Sequence, residues 1–177
     1  MQGTPHISTR HTDVIVSVSK AKQWLRLPQE YCEEDDTIAD AIESAVRRVE
    51  EECNLSLGVS TYTWNTSGLP CDFRDAKYVK EIVSVTVDGE LLEANTHYKL
   101  VRTGPVYSRI DWIGVTPGRE TTIVFRAGFG PGEVPPNLIR AIRAMVQQHF
   151  DAEGDMVSEK KTLSDKLIAP YQHGYAG

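Results

Sequence analysis

Long apolar runs are missing from this 177-residue chain. The most apolar stretches, residues 14–18 and 82–87, break within a few positions, far short of the ~20 that a helix needs to cross a bilayer. The amino terminus, MQGTPHISTRHTD, lacks the apolar core of a cleavable secretory peptide, so an intracellular origin is the expectation. Cysteine is scarce. Cys32, Cys53 and Cys71 are an odd set with no close pair, which fits neither a disulfide framework nor a zinc ribbon. They read as free thiols, Cys53 on an apolar helical face and the other two in polar loops. The histidines His6, His11, His97, His149 and His173 are scattered with no pair at a ligand spacing, and no Gly-x-Ser-x-Gly elbow is present. An excess of base is missing too: 19 basic residues face 25 acidic ones for a net charge of -6, so no bulk attraction to nucleic acid is expected.

What is present belongs to a globular protein. Residues are 40% apolar, 25% charged and 8% aromatic. A chain of this length reads as one domain or two small ones and buries roughly 70% of its unfolded surface, so it needs no metal or disulfide staple. Its charge is unevenly spread. Residues 28–54 hold the carboxylates Glu30, Glu33, Glu34, Asp35, Asp36, Asp40, Glu43, Glu50, Glu51 and Glu52 against Arg47 and Arg48 alone. In residues 97–130 the sign reverses, with Lys99, Arg102, Arg109, Arg119 and Arg126 against Asp111 and Glu120. Such regions are either two solvated faces or surfaces that pair between neighbouring copies.

The periodicity orders the chain as helices, strands, helices. Residues 1–13 form a polar arm without periodicity, expected to be mobile or to order only against a partner. Ser19 suits the cap of a short helix that Pro28 closes, and Asp36 that of a longer helix striped by Ile38, Ala41, Ile42, Ala45, Val46, Val49 and Cys53. Tyr62 and Trp64 alternate with polar residues in Ser60–Thr66, and Val83, Val85 and Val87 repeat that period of two. Asp88-Gly89 then turns into Leu91 and Leu92. Further strands are expected at Tyr98–Arg102, at 106–112 and at Thr121–Ala127. Strands at short spacing with no helix between them predict an antiparallel sheet. Pro136 opens a helix with Leu138, Ile139, Ile142, Met145, Val146 and Phe150 on one side. A polar linker at 153–161 leads to a short amphipathic stretch, 163–168, stopped by Pro170.

No constellation carries enzyme chemistry. Gly128-Phe-Gly130-Pro-Gly132 follows a strand and precedes a helix, but its spacing is not the dinucleotide fingerprint, it has no Walker lysine, and Pro135-Pro136 removes amides that a phosphate needs. It reads as a turn whose glycines allow positive φ. The carboxylates at 33–36 lack the calcium-loop pattern and serve the helix dipole instead. His149 sits near a helix end, where a partly buried or dipole-stabilised imidazole is expected. Arg140 and Arg143 offer charge to a phosphate backbone without any groove-reading motif.

The order of these elements and several local motifs resemble the head-tail connector, or adaptor, proteins of long-tailed bacteriophages and related gene transfer agents. The most specific segment is TTIVFRAGFGPGEVPPNLIRAIRAMVQQHF at 121–150, similar to that family's strand, aromatic-containing glycine turn, Val-Pro and amphipathic helix. The helix at 36–53 leading to Trp64, the hairpin VKEIVSVTVDGELL and the terminal LIAPY add weaker likenesses. Two segments depart from the family: DAEGDMVSEKK stands where an arginine-containing segment is common, and the arm is long.

The resemblance, like the order of helices, strands and helices by itself, implies an α+β fold, a bundle of two N-terminal and two C-terminal helices with an inserted antiparallel sheet. It divides the chain into an arm at 1–18, a connector domain at 19–152 (helices 19–27, 36–54 and 136–152, β insertion 59–128), and a linker and portal-docking segment at 153–177. It implies a structural virion protein of the neck, not an enzyme, with no cofactor or metal and no membrane partner. Family members form a ring, commonly a dodecamer, beneath the portal; they extend the DNA channel without reading sequence and dock stopper or tail-completion proteins. Asp40, Glu43 and Glu50 facing Arg102 and Arg109 of the next subunit are the expected intersubunit residues. Leu163, Leu167, Ile168 and Tyr171 are the expected portal-docking residues. A stopper or tail-completion protein is the alternative within the neck, and a small hydrolase or nucleotide-binding enzyme the alternative outside it.

Overall fold

The computed structural model describes residues 3–73, 75–151 and 162–172; the expected linker at 153–161 lies outside them. The fold is α+β, with four helices and antiparallel sheet in the described residues. The chain forms two compact units. One takes the N-terminal residues through Asp13 together with Asn54–Pro131, and the other takes Val14–Cys53 and the residues from Gly132 onward.

The second unit is helical. α1 (Val18–Leu25) is capped by Ser17, whose Oγ accepts from the Lys20 N–H at 3.2 Å, two residues earlier than the expected cap. Ser19 instead donates its hydroxyl to Gln29 Oε1 at 2.6 Å. Val16, buried just ahead of the helix, draws the chain in early. The helix ends at Arg26, which takes the left-handed conformation and spends its N–H on the last turn. α2 (Asp35–Cys53) begins one residue before the expected Asp36 cap, and Asp35 pairs with the buried Lys22 ammonium at 2.5 Å. α3 spans Pro136–Asp151.

α4 (Leu163–Gln172) runs through Pro170, where the sequence predicts a stop. Proline removes one backbone bond, to the Lys166 carbonyl, and within the described helix it is followed by Tyr171 and Gln172, so one lost bond near the end costs the helix little. Its start is fixed by a reciprocal cap: Thr162 N–H donates to Asp165 Oδ2 at 2.7 Å and Asp165 N–H to Thr162 Oγ1 at 3.4 Å. Ile38, Ile42, Val49, Cys53, Leu138, Ala141, Ile142, Val146 and Ile168 are all buried here. Across the bundle Arg48 reaches Asp165 at 3.2 Å, Gln172 donates to Glu52 at 3.0 Å and Gln147 to the Trp24 carbonyl at 3.1 Å.

The first unit is β. β1 (His6–Thr9), β2 (Ser60–Thr66), β3 (Val79–Val87), β4 (Glu90–Leu92) and β7 (Thr121–Ala127) form a five-stranded antiparallel sheet in the order β1-β2-β7-β3-β4. β5 (Tyr98–Arg102) and β6 (Ser108–Trp112) form a separate two-stranded ribbon, so one expected sheet is two. The arm expected at the start is in part a strand. Residues 6–9 pair with β2, His6 against Thr63 and Ile7 against Tyr62. Backbone pairing needs no hydrophobic period, and the unfilled edge of β2 offers the bonds that periodicity cannot predict.

Tyr62, Trp64, Val85, Ile123, Phe125 and Ala127 point to one side of the sheet and meet Phe73, Ala76, Tyr98 and Ile110. Phe125 stacks on Tyr62 at 5.3 Å and takes the edge of Phe73 at 4.8 Å. The pairing of β3 with β7 is irregular at two places, between Val79 and Glu81 and between Ile82 and Ser84, and the second interrupts the alternation expected there. Ile82 pairs with Phe125 and Ser84 with Val124, so Val83 is an extra, bulged residue and is 51% exposed while Val85 is buried.

Candidate functional site

The described residues hold no group of three metal-ligating side chains, and no helix among them is long and apolar enough to cross a membrane. His149 is exposed, with its ring edge-on to Phe150 at 5.5 Å. The glycine turn after β7 serves packing. Gly128 has φ +121°, and a Cβ there would run into the Gly58 carbonyl oxygen, so the two backbones approach as only glycine permits.

The structure sorts the residues expected at an assembly contact by what each already does. Glu50 is 5% exposed and withdrawn from the surface. Glu43 is exposed, but Arg47 one turn later holds it at 2.6 Å. On the basic side Arg109 is exposed and paired with Asp111 in its own strand at 2.9 Å. Asp40 and Arg102 are exposed, and neither has a charged partner among the described residues.

The register of the ribbon separates the two arginines. Tyr98 faces Trp112, Leu100 faces Ile110 and Arg102 faces Ser108, which puts those six side chains on one side. Lys99 with Asp111 and Val101 with Arg109 lie on the other. Tyr98 and Ile110 bury the first side in the β core, while Arg102 stands at its far end, beside the connecting loop. Burial raises the Tyr98 phenol above its ordinary pKa.

The expected docking residues are likewise divided. Ile168 is fully buried in the helical unit and Leu167 and Tyr171 are half-buried; Leu163, 65% exposed, is the one that faces out freely.

A feature the sequence reading missed is an open groove of about 600 Å³ between α2 and α3. Thr37, Asp40, Ala41, Ser44, Ala45 and Arg48 line it from α2, and Met145, Gln148 and His149 from α3. Its shape follows from side-chain size: Ala41, Ser44 and Ala45 recur at helical spacing and leave room that larger residues would fill. That spacing was visible in the sequence, though the helix facing it was not. At one end Arg48 is held by Glu52 at 2.6 Å, a bond that raises its pKa further. Two turns earlier on α2, Asp40 also lines the groove and is exposed.

No family model matches this chain, and no curated protein matches it by sequence. Solved structures match along nearly all of it. A chain in the neck of an empty gene transfer agent (GTA) particle, computed with C6 symmetry, superposes with a TM-score of 0.74 at 16% identity, covering 98% of each chain. A chain from the virion of a native GTA particle gives 0.75 at 17% identity, again with 98% of each chain covered. A third, from the neck of a native GTA particle computed with C12 symmetry, gives 0.63 at 14% identity over 97% of this chain and 99% of the other. The fold, helices and sheet together, is that of these chains.

Proposed function

We propose that this protein is a structural component of a particle neck, a head-tail connector that forms a homo-oligomeric ring beneath a portal. The observation that carries this reading is the end-to-end match in fold with chains of GTA necks and virions. The C6 and C12 symmetry used for two of those necks suits a ring built from repeated copies. So does a chain with an acidic α2 and a basic ribbon, since unlike patches on one subunit make a heterologous contact that closes when its rotation allows. In this reading the ring is a dodecamer, continues the DNA channel without reading sequence, and offers its far side to a stopper or tail-completion protein. The protein acts as a scaffold in the virion and catalyses nothing. Asp40 and Glu43 of one subunit lie near Arg102 and Arg109 of the next, while Glu50 stays inside its own subunit. The portal meets α4, through Leu163 and the exposed parts of Leu167 and Tyr171, with Ile168 anchoring that helix from within.

The test is native mass spectrometry and negative-stain imaging of the full chain with and without its cognate portal protein. A defined ring seated on the portal supports the connector reading and fixes the copy number. A persistent monomer that ignores portal overturns it and leaves the fold alone standing.

A further inference from the structure

The α2–α3 groove and the tip of the β5–β6 ribbon are unlike surfaces with matching needs. At the groove, Asp40 is an exposed carboxylate with no charged partner among the described residues, set at the rim above a floor made of Ala41 and Ala45. At the ribbon, Arg102 is an exposed guanidinium in the same condition, next to the exposed residues Thr103, Gly104 and Pro105. Of the other residues expected at the contact, the exposed Glu43 and Arg109 are already held within their own elements, and Glu50 is buried.

We propose that the ribbon tip of one subunit seats in the α2–α3 groove of the next, with Arg102 paired to Asp40. This rests on the ring reading above and names the contact that repeats around the ring. The tip is preorganised. Thr103 N–H donates to the Tyr107 carbonyl at 3.0 Å and closes the loop, and Tyr78 N–H donates to the Val106 carbonyl at 2.8 Å and ties it down. A protrusion held this way loses little conformational freedom on docking. Pro105 at the apex is small, apolar and without an N–H to satisfy, which suits an alanine floor, and the groove has the volume of sites that enclose small ligands. Arg102 then arrives over Asp40, where a guanidinium and a carboxylate can form two parallel bonds that fix orientation as well as attraction. Groove and tip are different surfaces of one chain, so the contact runs head to tail and closes by rotation.

The experiment uses the full chain with its cognate portal protein. In a C32S/C71S background, which removes the two exposed native thiols and keeps the buried Cys53, one preparation carries D40C and another R102C. The two are mixed, assembled and treated with a short bismaleimide, so that any cross-link between the new thiols joins two chains. In parallel, D40R, R102D and the D40R/R102D double variant are assembled in the native background, their folding checked by thermal melts. Cross-linked dimers in the mixture, about tenfold weaker assembly for each single charge reversal and recovery in the double variant support the contact. Rings that form without the cross-link, or a double variant no better than the singles, overturn the contact while leaving the ring standing. Absence of any ring from the native chain overturns the connector reading and this contact with it.

Discussion

At the scale of single residues, the energetics concentrate at positions where a side chain has no alternative place to go. Gly128 combines a φ of +121° with the close approach of the Gly58 carbonyl, so Gly128→Ala meets strain and a backbone clash together. We expect a loss of at least about 2 kcal/mol in unfolding free energy, read by chemical denaturation. Tyr98 gives a test by pH. Its buried phenol prefers the neutral form, so the folded state holds that proton above the ordinary value of 10.0. The folded state then binds the proton more tightly than the unfolded chain. Its contribution is complete below the unfolded value and is lost as pH rises through the raised folded one. Thermal melts of the native chain should therefore fall more steeply above about pH 10 than those of Tyr98→Phe, which has no proton to lose.

At the scale of elements, α4 shows how tertiary context reassigns a segment. Read alone, ten residues containing a proline cannot bury much, and the expectation is a free end available to a partner. In the fold its Ile168 is fully buried beside Cys53, whose thiol lies 3.9 Å from the Ile168 carbonyl. Asp165 and Gln172 bind side chains of α2. Deleting the segment would therefore open the helical core, and single substitutions separate the two roles. Ile168→Ala should cost about 2–5 kcal/mol of stability. Leu163→Ala, at an exposed site, should change stability by no more than about 0.5 kcal/mol while weakening portal binding in a pull-down or by surface plasmon resonance. Unchanged portal binding by the Leu163 variant removes α4 from the docking surface.

At the scale of the whole molecule, charge segregation is the property that assembly would use. The free chain carries -6, yet its acidic and basic regions lie on different elements, so a head-to-tail contact brings opposite signs together even though two whole subunits repel. Screening reaches such exposed pairs readily, the Debye length falling from about 10 Å at 0.1 M salt to about 3 Å at 1 M. Raising salt over that range should weaken each subunit contact by about 1 kcal/mol, roughly fivefold, measured as the shift in the concentration at which rings give way to free subunits in mass photometry. Rings indifferent to salt would assign the contact to apolar burial instead.

The amino-acid sequence by itself determined the elements whose own side chains carry a period. The apolar stripe of α2, the alternation of Tyr62 and Trp64 in β2 and the run of β7 are local patterns, and each lies where its pattern places it. The order of helices, strands and helices, and with it the α+β class, follows from those patterns alone. What only the tertiary structure decided was set by neighbours distant in sequence. β1 exists because β2 has an edge to fill, Val83 is expelled because Ile82 and Val85 must both face Phe125 and Ile123, and α4 persists past Pro170 because Ile168 has a core to enter. The candidate site divides in the same way. The sequence showed two regions of opposite charge, since composition is additive along the chain. It did not show that Glu50 is buried, that Glu43 and Arg109 are occupied by Arg47 and Asp111, or that α3 turns the small residues of α2 into a groove. Those depend on which faces meet, and packing settles that through contacts no single segment contains.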